Sequence, residues 1–149
     1  MLYLEATIHE VLRFSSLAPL GAPHKALEEV QFHGYTIPKG SMVLANIYKA
    51  TREVDVWGDP EVFRPERFLA SDGKSLVRYD AWMPFAVGKR TCLGETLAKD
   101  ELFLFIGNLF QTFKVSTLPG EAAPSLEPFP GGILVPRPHK LIVTERVPQ

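Results

Sequence analysis

A chain of 149 residues, 46% of them hydrophobic, is long enough to bury one sizeable core. Its net charge of -1 provides no general attraction to nucleic acid or anionic lipid. A single cysteine, Cys92, excludes a disulfide framework and any C-x-x-C zinc or redox motif, and it favours a reducing compartment.

Met1 to Phe14 places Leu4, Ile8, Val11 and Leu12 at helical spacing without Gly or Pro, which predicts an amphipathic helix. Nothing before it supplies an N-cap, so the helix reads as starting mid-element and Met1 as an internal residue of a longer chain. Pro19, Gly21 and Pro23 force an extended stretch. Residues 30 to 47, VQFHGYTIPKGSMVLANI, give two β-rich runs around Gly34 and the Pro38-Lys39-Gly40 turn, a small hairpin sheet. Ile47 to Val54 reads as a short helix, closed off by Trp57-Gly58-Asp59-Pro60.

Pro60 to Pro84 has no periodicity and reads as a long ordered loop, a rarity in compact domains unless it carries function. After Cys92, Leu93, Leu97, Leu104, Phe105 and Leu109 fall at helical intervals up to Phe113, and Leu102 to Ile106 is apolar all round, predicting a deeply buried helix. That apolar run is far shorter than the roughly 18 residues a membrane span needs, and no leader peptide pattern opens the chain. Leu118 to Pro138 is dense in Pro and Gly, and Lys140 to Glu145 alternates as a last strand. There is no internal repeat, and the fold class is α+β.

Cys92 lies in the stretch FAVGKRTCLG, Phe85 to Gly94. A lone cysteine is ordinarily a small buried hydrophobe. Here Lys89 and Arg90 precede it and a predicted helix follows, features that stabilise a thiolate. Gly88 and Gly94 let the backbone pass close to a large planar ligand. Such a site suits a metal ligand or a nucleophile. His9, His24, His33 and His139 carry no cysteine-protease signature, and His9-Glu10 lacks the second histidine of H-E-x-x-H because Arg13 stands there.

The spacing Phe85-x-x-Gly88-x-Arg90-x-Cys92-x-Gly94 resembles the haem-binding signature of the cytochrome P450 family at every fixed position. The resemblance implies Cys92 as the thiolate ligand of haem b iron, a ligand that favours O–O cleavage. It also implies Phe85 packed near the iron–sulfur bond, Gly88 at a tight turn, and Arg90 on a haem propionate. His24 in GAPHKA is implied as a further propionate contact.

Taken alone, Glu10 and Arg13 are a solvated i,i+3 pair. They resemble the E-x-x-R of a family helix, and Phe63-Arg64-Pro65-Glu66-Arg67-Phe68 resembles the F-x-P-E-R-F loop. Glu10, Arg13 and Arg67 are thereby implied in a buried charge network behind the haem. Substrate contacts are implied at Ala18, Ala22 and Pro23 and at Gly132 and Ile133, and an acidic reductase surface at Lys89 and Lys99.

The resemblance spans nearly the whole chain but only the C-terminal third of the family's length. Residues 1–149 therefore read as one partial domain of a mainly α fold: E-x-x-R helix, small β-sheet, meander loop, Cys-ligand loop, long buried helix and C-terminal β-hairpin. No A/G-G-x-D/E-T sequence of the oxygen-activating helix occurs, and that helix and an N-terminal membrane anchor are expected upstream. Beyond the haem ligand, no catalytic residue is expected within this chain.

By resemblance to microsomal members, the parent is expected in the endoplasmic-reticulum membrane. It would insert one oxygen atom of O2 into an apolar small molecule, with NADPH-derived electrons delivered by NADPH-cytochrome P450 reductase; nucleic acid is not an expected partner. Two alternatives stand beside this: a non-catalytic haem-binding module, and a truncated remnant whose exposed Leu102 to Phe113 helix aggregates.

Overall fold

The structure is a computed structural model, and it describes residues 1–147. Helix α1, Leu2–Ser15, starts at Met1 without a side-chain cap and buries Ala6, Ile8, Glu10 and Arg13. It stops because Ser16 turns left-handed, φ 42° and ψ 51°. The Ser16 hydroxyl secures that turn by donating to the Arg13 carbonyl at 2.9 Å.

The expected single hairpin sheet is corrected to two separate ladders. Strands β2, Val30–Phe32, and β3, Tyr35–Ile37, form a tight antiparallel hairpin. Its two turn residues, His33 and Gly34, both have positive φ, 47° and 84°, as a twist-matched two-residue turn requires. Strand β1, His24–Lys25, pairs antiparallel with β4, Met42–Val43, in the register His24↔Val43. The ladder breaks between them where Pro38 has no N–H to donate.

The expected helix from Ile47 to Val54 is likewise divided into α2, Ile47–Ala50, and α3, Val54–Trp57. Asn46 caps α2 by accepting from the Lys49 N–H at 2.9 Å. The Thr51 hydroxyl then takes the Tyr48 carbonyl at 3.0 Å, a side-chain bond that competes with continuing the helix. Gly58, at φ 69°, closes α3 as expected.

The segment from 60 to 84 is a loop, with a 3-10 turn at Pro65–Phe68 and an isolated bridge between Leu69 and Leu76. It furnishes much of the core: Ala6, Trp57 and Phe68 are buried together, with Leu69, Leu76, Tyr79, Ala81 and Trp82 packed around them.

Helix α4, Glu95–Thr112, begins after Gly94 rather than directly after Cys92, and Phe113 already belongs to a strand. That strand, β5, Phe113–Ser116, pairs antiparallel with β6, Ile142–Glu145, from Phe113↔Glu145 to Ser116↔Ile142. The final strand thus starts later than Lys140, and its partner is thirty residues upstream; between them only Phe129 and Val135 form a bridge. The expectation that α4 is deeply buried is corrected as well. None of its residues is buried, and Phe105 is 71% exposed. Its close approach to α1 is at Gly107, where an added Cβ would sit 3.2 Å from Leu4 Cδ2. Among the described residues, no helix is long and apolar enough to cross a membrane.

Candidate functional site

Glu10 and Arg13, one helical turn apart on α1, are completely buried. Arg13 grips the carboxylate with both arms, Nε to Oε2 at 2.7 Å and Nη2 to Oε1 at 2.8 Å, and its Nη1 donates to the Thr51 carbonyl at 2.8 Å. Arg67 arrives from the 3-10 turn and donates through Nε to Glu10 Oε1 at 3.2 Å. The Arg64 amide supplies the carboxylate with a fourth donor at 2.8 Å.

One carboxylate cannot balance two guanidiniums, and backbone oxygens take up the rest of the arginine donors. Arg67 Nη1 donates to the Trp57 carbonyl at 2.8 Å, and Nη2 to the carbonyls of Val62 and Asp59 at 3.0 and 3.2 Å. Nη2 also reaches Asp59 Oδ1 at 3.1 Å, and Arg64 Nη2 meets the same oxygen at 2.6 Å. That bond from Arg64, followed by the one from Arg67, holds the Asp59 carboxyl below its ordinary range. The Trp57 ring lies 5.2 Å from the Arg13 guanidinium carbon and 5.9 Å from that of Arg67. The structure therefore brings Glu10, Arg13 and Arg67 together in one network. Asp59, Thr51 and Trp57 were missed as members; Asp59 and Trp57 were read only as a helix stop.

The Cys92 loop is tied to this core through Trp82, whose Nε1 donates to the His9 carbonyl on α1 at 3.0 Å. From there the chain folds back on itself. Ala86 and Gly88 take positive φ, 60° and 76°, and the Cys92 N–H donates to the Phe85 carbonyl at 2.9 Å. An added Cβ at Gly88 would meet nothing within 4 Å, so glycine serves the left-handed backbone and not the space. At Gly94 an added Cβ would rest 3.9 Å from the Cys92 sulfur, in ordinary contact.

Cys92 itself is exposed, as are Lys89 and Arg90. Exposed apolar side chains flank it in sequence: Val87 at 64%, Leu93 at 104% and Leu97 at 64%. This donor set fits haem. An exposed soft thiolate ligand with cationic and apolar neighbours suits a group that is apolar, anionic at its rim and in need of one protein sulfur on that face. Among the described residues there is no cluster of three or more His, Cys, Asp or Glu to hold a metal by side chains alone.

His24 is exposed on β1, and Ala18, Ala22, Pro23, Gly132 and Ile133 are exposed too. Among the described residues no hydrogen bond joins any of them to the Cys92 loop. The two segments implied as substrate contacts do lie side by side, since the Leu134 N–H donates to the Leu17 carbonyl at 2.9 Å.

Beside the Cys92 loop, a cleft of about 790 Å3 opens between α1, the loop at 76–82 and the start of α4. Here His9 stacks on Trp82 with ring centroids 4.4 Å apart, and its Nδ1 meets the Glu5 carbonyl at 2.8 Å. Burial pushes the His9 pKa down, and the nearby Lys99 charge adds to that against the pull of Glu5. Lys99 is itself engaged: it pairs with Glu95 and lies 4.9 Å from the Trp82 ring centroid and 5.7 Å from that of Phe85.

The family described as Cytochrome P450 matches residues 1–143. Rat cytochrome P450 2D4 is 41% identical over 146 residues, covering 98% of this chain and 29% of the relative. Farnesoate epoxidase of Bombyx mori is 42% identical over 147 residues, again 98% of this chain and 29% of the relative. Steroid 17-alpha-hydroxylase/17,20 lyase of Oryzias latipes is 42% identical over 145 residues, 97% of this chain and 28% of the relative. The chain thus spans less than a third of the length of these curated relatives.

Proposed function

The chain belongs to the cytochrome P450 family, and from that premise we propose that it is the haem-holding segment of a haem-thiolate monooxygenase. The observation that carries the reading is Cys92: the chain's one thiol, exposed on a loop closed by its own N–H to the Phe85 carbonyl at 2.9 Å. Bound haem b supplies the oxygen chemistry, by which one atom of O2 enters an apolar small molecule and the other leaves as water, with two electrons drawn from NADPH through NADPH-cytochrome P450 reductase.

The protein's own residues hold and orient. Cys92 would supply the thiolate ligand, and Phe85 would help shield the sulfur from water. Gly88 and Gly94 shape the loop around it. Arg90 pairs with one propionate and His24 with another. Glu10, Arg13 and Arg67 fasten α1 to the segment from Trp57 to Phe68, and Trp82 passes that rigidity to the Cys92 loop through its bond to His9.

Ala18, Ala22 and Pro23 with Gly132 and Ile133 offer small or apolar exposed side chains to a substrate. Lys89 faces the reductase; Lys99, paired with Glu95, is not free to do so. In the complete polypeptide a membrane anchor and an oxygen-activating helix precede these residues, and the protein resides in the endoplasmic-reticulum membrane.

Reduced, carbon monoxide-bound holoprotein of the complete polypeptide is expected to show the red-shifted Soret band of thiolate ligation, and Cys92→Ser to abolish it. A band that survives that substitution overturns the assignment. The same reconstitution of residues 1–149 alone separates the other readings. A thiolate band without turnover marks a haem-binding module, and aggregation without haem marks a remnant, which the exposed face of α4 favours.

A further inference from the structure

The end of α1 and the end of α2 are joined by a hydroxyl pair that the haem reading does not use. Ser16 is 2% exposed and Thr51 not at all, and their side-chain oxygens are 2.7 Å apart. Ser16 also reaches the Arg13 carbonyl at 2.9 Å and Thr51 the Tyr48 carbonyl at 3.0 Å. Two hydroxyl protons cannot serve three such contacts at once, so one close oxygen contact lacks a proton of its own, and a positive donor beside the pair is favourable.

Arg52 is that donor: its Nη1 lies 3.0 Å from Ser16 Oγ and 3.3 Å from Thr51 Oγ1, and its Nη2 donates to the Phe14 carbonyl at 2.8 Å. The guanidinium carbon lies over the Tyr48 ring, 3.9 Å from its centroid. Its buried Nε makes no hydrogen bond among the described residues but lies 3.5 Å from Glu61 Oε1, an ion pair that further holds the guanidinium in place.

The clasp controls a direction of travel. Ser16, left-handed, sets how the chain leaves α1, and the next carbonyl, Leu17, accepts from the Leu134 N–H at 2.9 Å. Two residues on, the Pro19 carbonyl accepts from the Tyr48 N–H of α2 at 2.9 Å. The Ala18–Pro23 segment and the Gly132–Ile133 turn therefore both hang from the frame that Thr51 locks. The same Thr51 gives its carbonyl to Arg13 of the charge network at 2.8 Å.

We propose that Thr51, through Ser16 and Arg52, is a positioning residue that holds the two substrate-contacting segments in one wall and thereby sets the shape of the pocket. The inference rests on the assignment of those segments to substrate in the proposed function. A ligand that touches only the iron should ignore the clasp, and a bulky one should feel it.

The test is spectral titration of the complete haem-loaded polypeptide with imidazole and with 4-phenylimidazole. Thr51→Val, equal in shape but without the hydroxyl, is expected to raise the Kd for 4-phenylimidazole about tenfold, the scale on which misplaced contacts tell. The imidazole Kd stays within about twofold, and Thr51→Ser, which keeps the hydroxyl, holds the 4-phenylimidazole Kd near that of the parent. Should Thr51→Val not retain haem, Ser16→Gly removes the other hydroxyl while suiting the left-handed backbone, and the same ratio is read.

Equal Kd values for 4-phenylimidazole in variant and parent, or equal weakening of both ligands, overturns the proposal and leaves the haem reading intact. Unmutated protein that lacks the thiolate Soret band in its carbon monoxide complex overturns both.

Discussion

Replacing Arg67 with alanine tests whether the charge network is structural in the way its geometry demands. The side chain is 3% exposed and donates to Glu10, to the carbonyls of Trp57, Asp59 and Val62, and to the Asp59 carboxylate. Glu10 itself survives the loss well, because Arg13 and the Arg64 amide still serve both of its oxygens. The Trp57 carbonyl still accepts from the Asp59 N–H at 2.8 Å and the Asp59 carbonyl from the Val62 N–H at 3.0 Å, so among the described residues only the Val62 carbonyl is orphaned, at about 1 kcal/mol or more.

With the vacated volume of a large buried side chain added, Arg67→Ala should cost about 2–5 kcal/mol, the range for truncating a large interior side chain. At about 2–4 °C per kcal/mol for a protein of this size or larger, the melting temperature falls by about 10 °C. Arg67→Lys should recover little of it, since one ammonium cannot reproduce a planar fork aimed at several acceptors. Glu10→Ala should be worse than either, because it leaves two guanidiniums facing each other without their carboxylate. Thermal melts of the complete polypeptide, read by far-ultraviolet circular dichroism and by loss of the Soret band, measure all three. Arg67→Ala melting within about 2 °C of the parent with full haem content would refute the reasoning.

Two further perturbations read other parts of the site. Gly88→Ala forces a side chain onto a φ of 76° while its Cβ meets nothing within 4 Å, so a loss of about 1–2 kcal/mol in urea melts is pure backbone strain, and Gly88→Asn should lose less. Unchanged stability in Gly88→Ala would show that the left-handed turn is not needed. For His9, whose folded pKa is lowered chiefly by burial, the unfolded chain binds the proton more readily. Stability is therefore complete above about pH 6.5 and declines as the pH drops from there towards the folded value. Asp59 and Glu66, whose pKa values are held low, lose their contribution only in a more acidic window, below about pH 4. His9→Gln should flatten the curve between about pH 7 and pH 5 and leave the acid limb alone; parallel curves across that span refute the assignment.

Local signals made α1 legible: a helical period, no breaker and a charged pair one turn apart all sit within the first fourteen residues. The tight loop at Gly88 was legible for the same reason, since a backbone preference is written at one position. Where the outcome depended on partners distant in sequence, the reading stopped. Phe68, Tyr79 and Trp82 come from a stretch without periodicity, yet Phe68 makes tilted or edge contacts with Trp57, Tyr79 and Trp82 at 5.6 to 6.2 Å. Thr51, at the end of α2, meets the hydroxyl of Ser16, thirty-five positions earlier, a pairing that nothing local signals. Phe113 continues the apolar rhythm of α4 but pairs with Glu145, a neighbour no local pattern announces.

The burial of α4 failed for a different reason, and it separates two kinds of apolar surface in this chain. The aromatic cluster around Phe68 is saturated by its own residues, and the charge network beside it has its carboxylate fully served. On α4, by contrast, Leu104, Phe105 and Phe110 are more than half exposed, and an apolar groove of about 470 Å3 runs between that helix and Leu4 of α1. The Cys92 loop is fastened to the saturated side through Trp82 to the His9 carbonyl, and is closed on itself by the Cys92 N–H to the Phe85 carbonyl. The Cys92 loop thus has a tie to α1 that does not involve the exposed face of α4. It follows that substitutions on the exposed face of α4 should act on solubility before they act on the sulfur, whereas Arg67, Trp82 and Gly88 reach it directly through the frame.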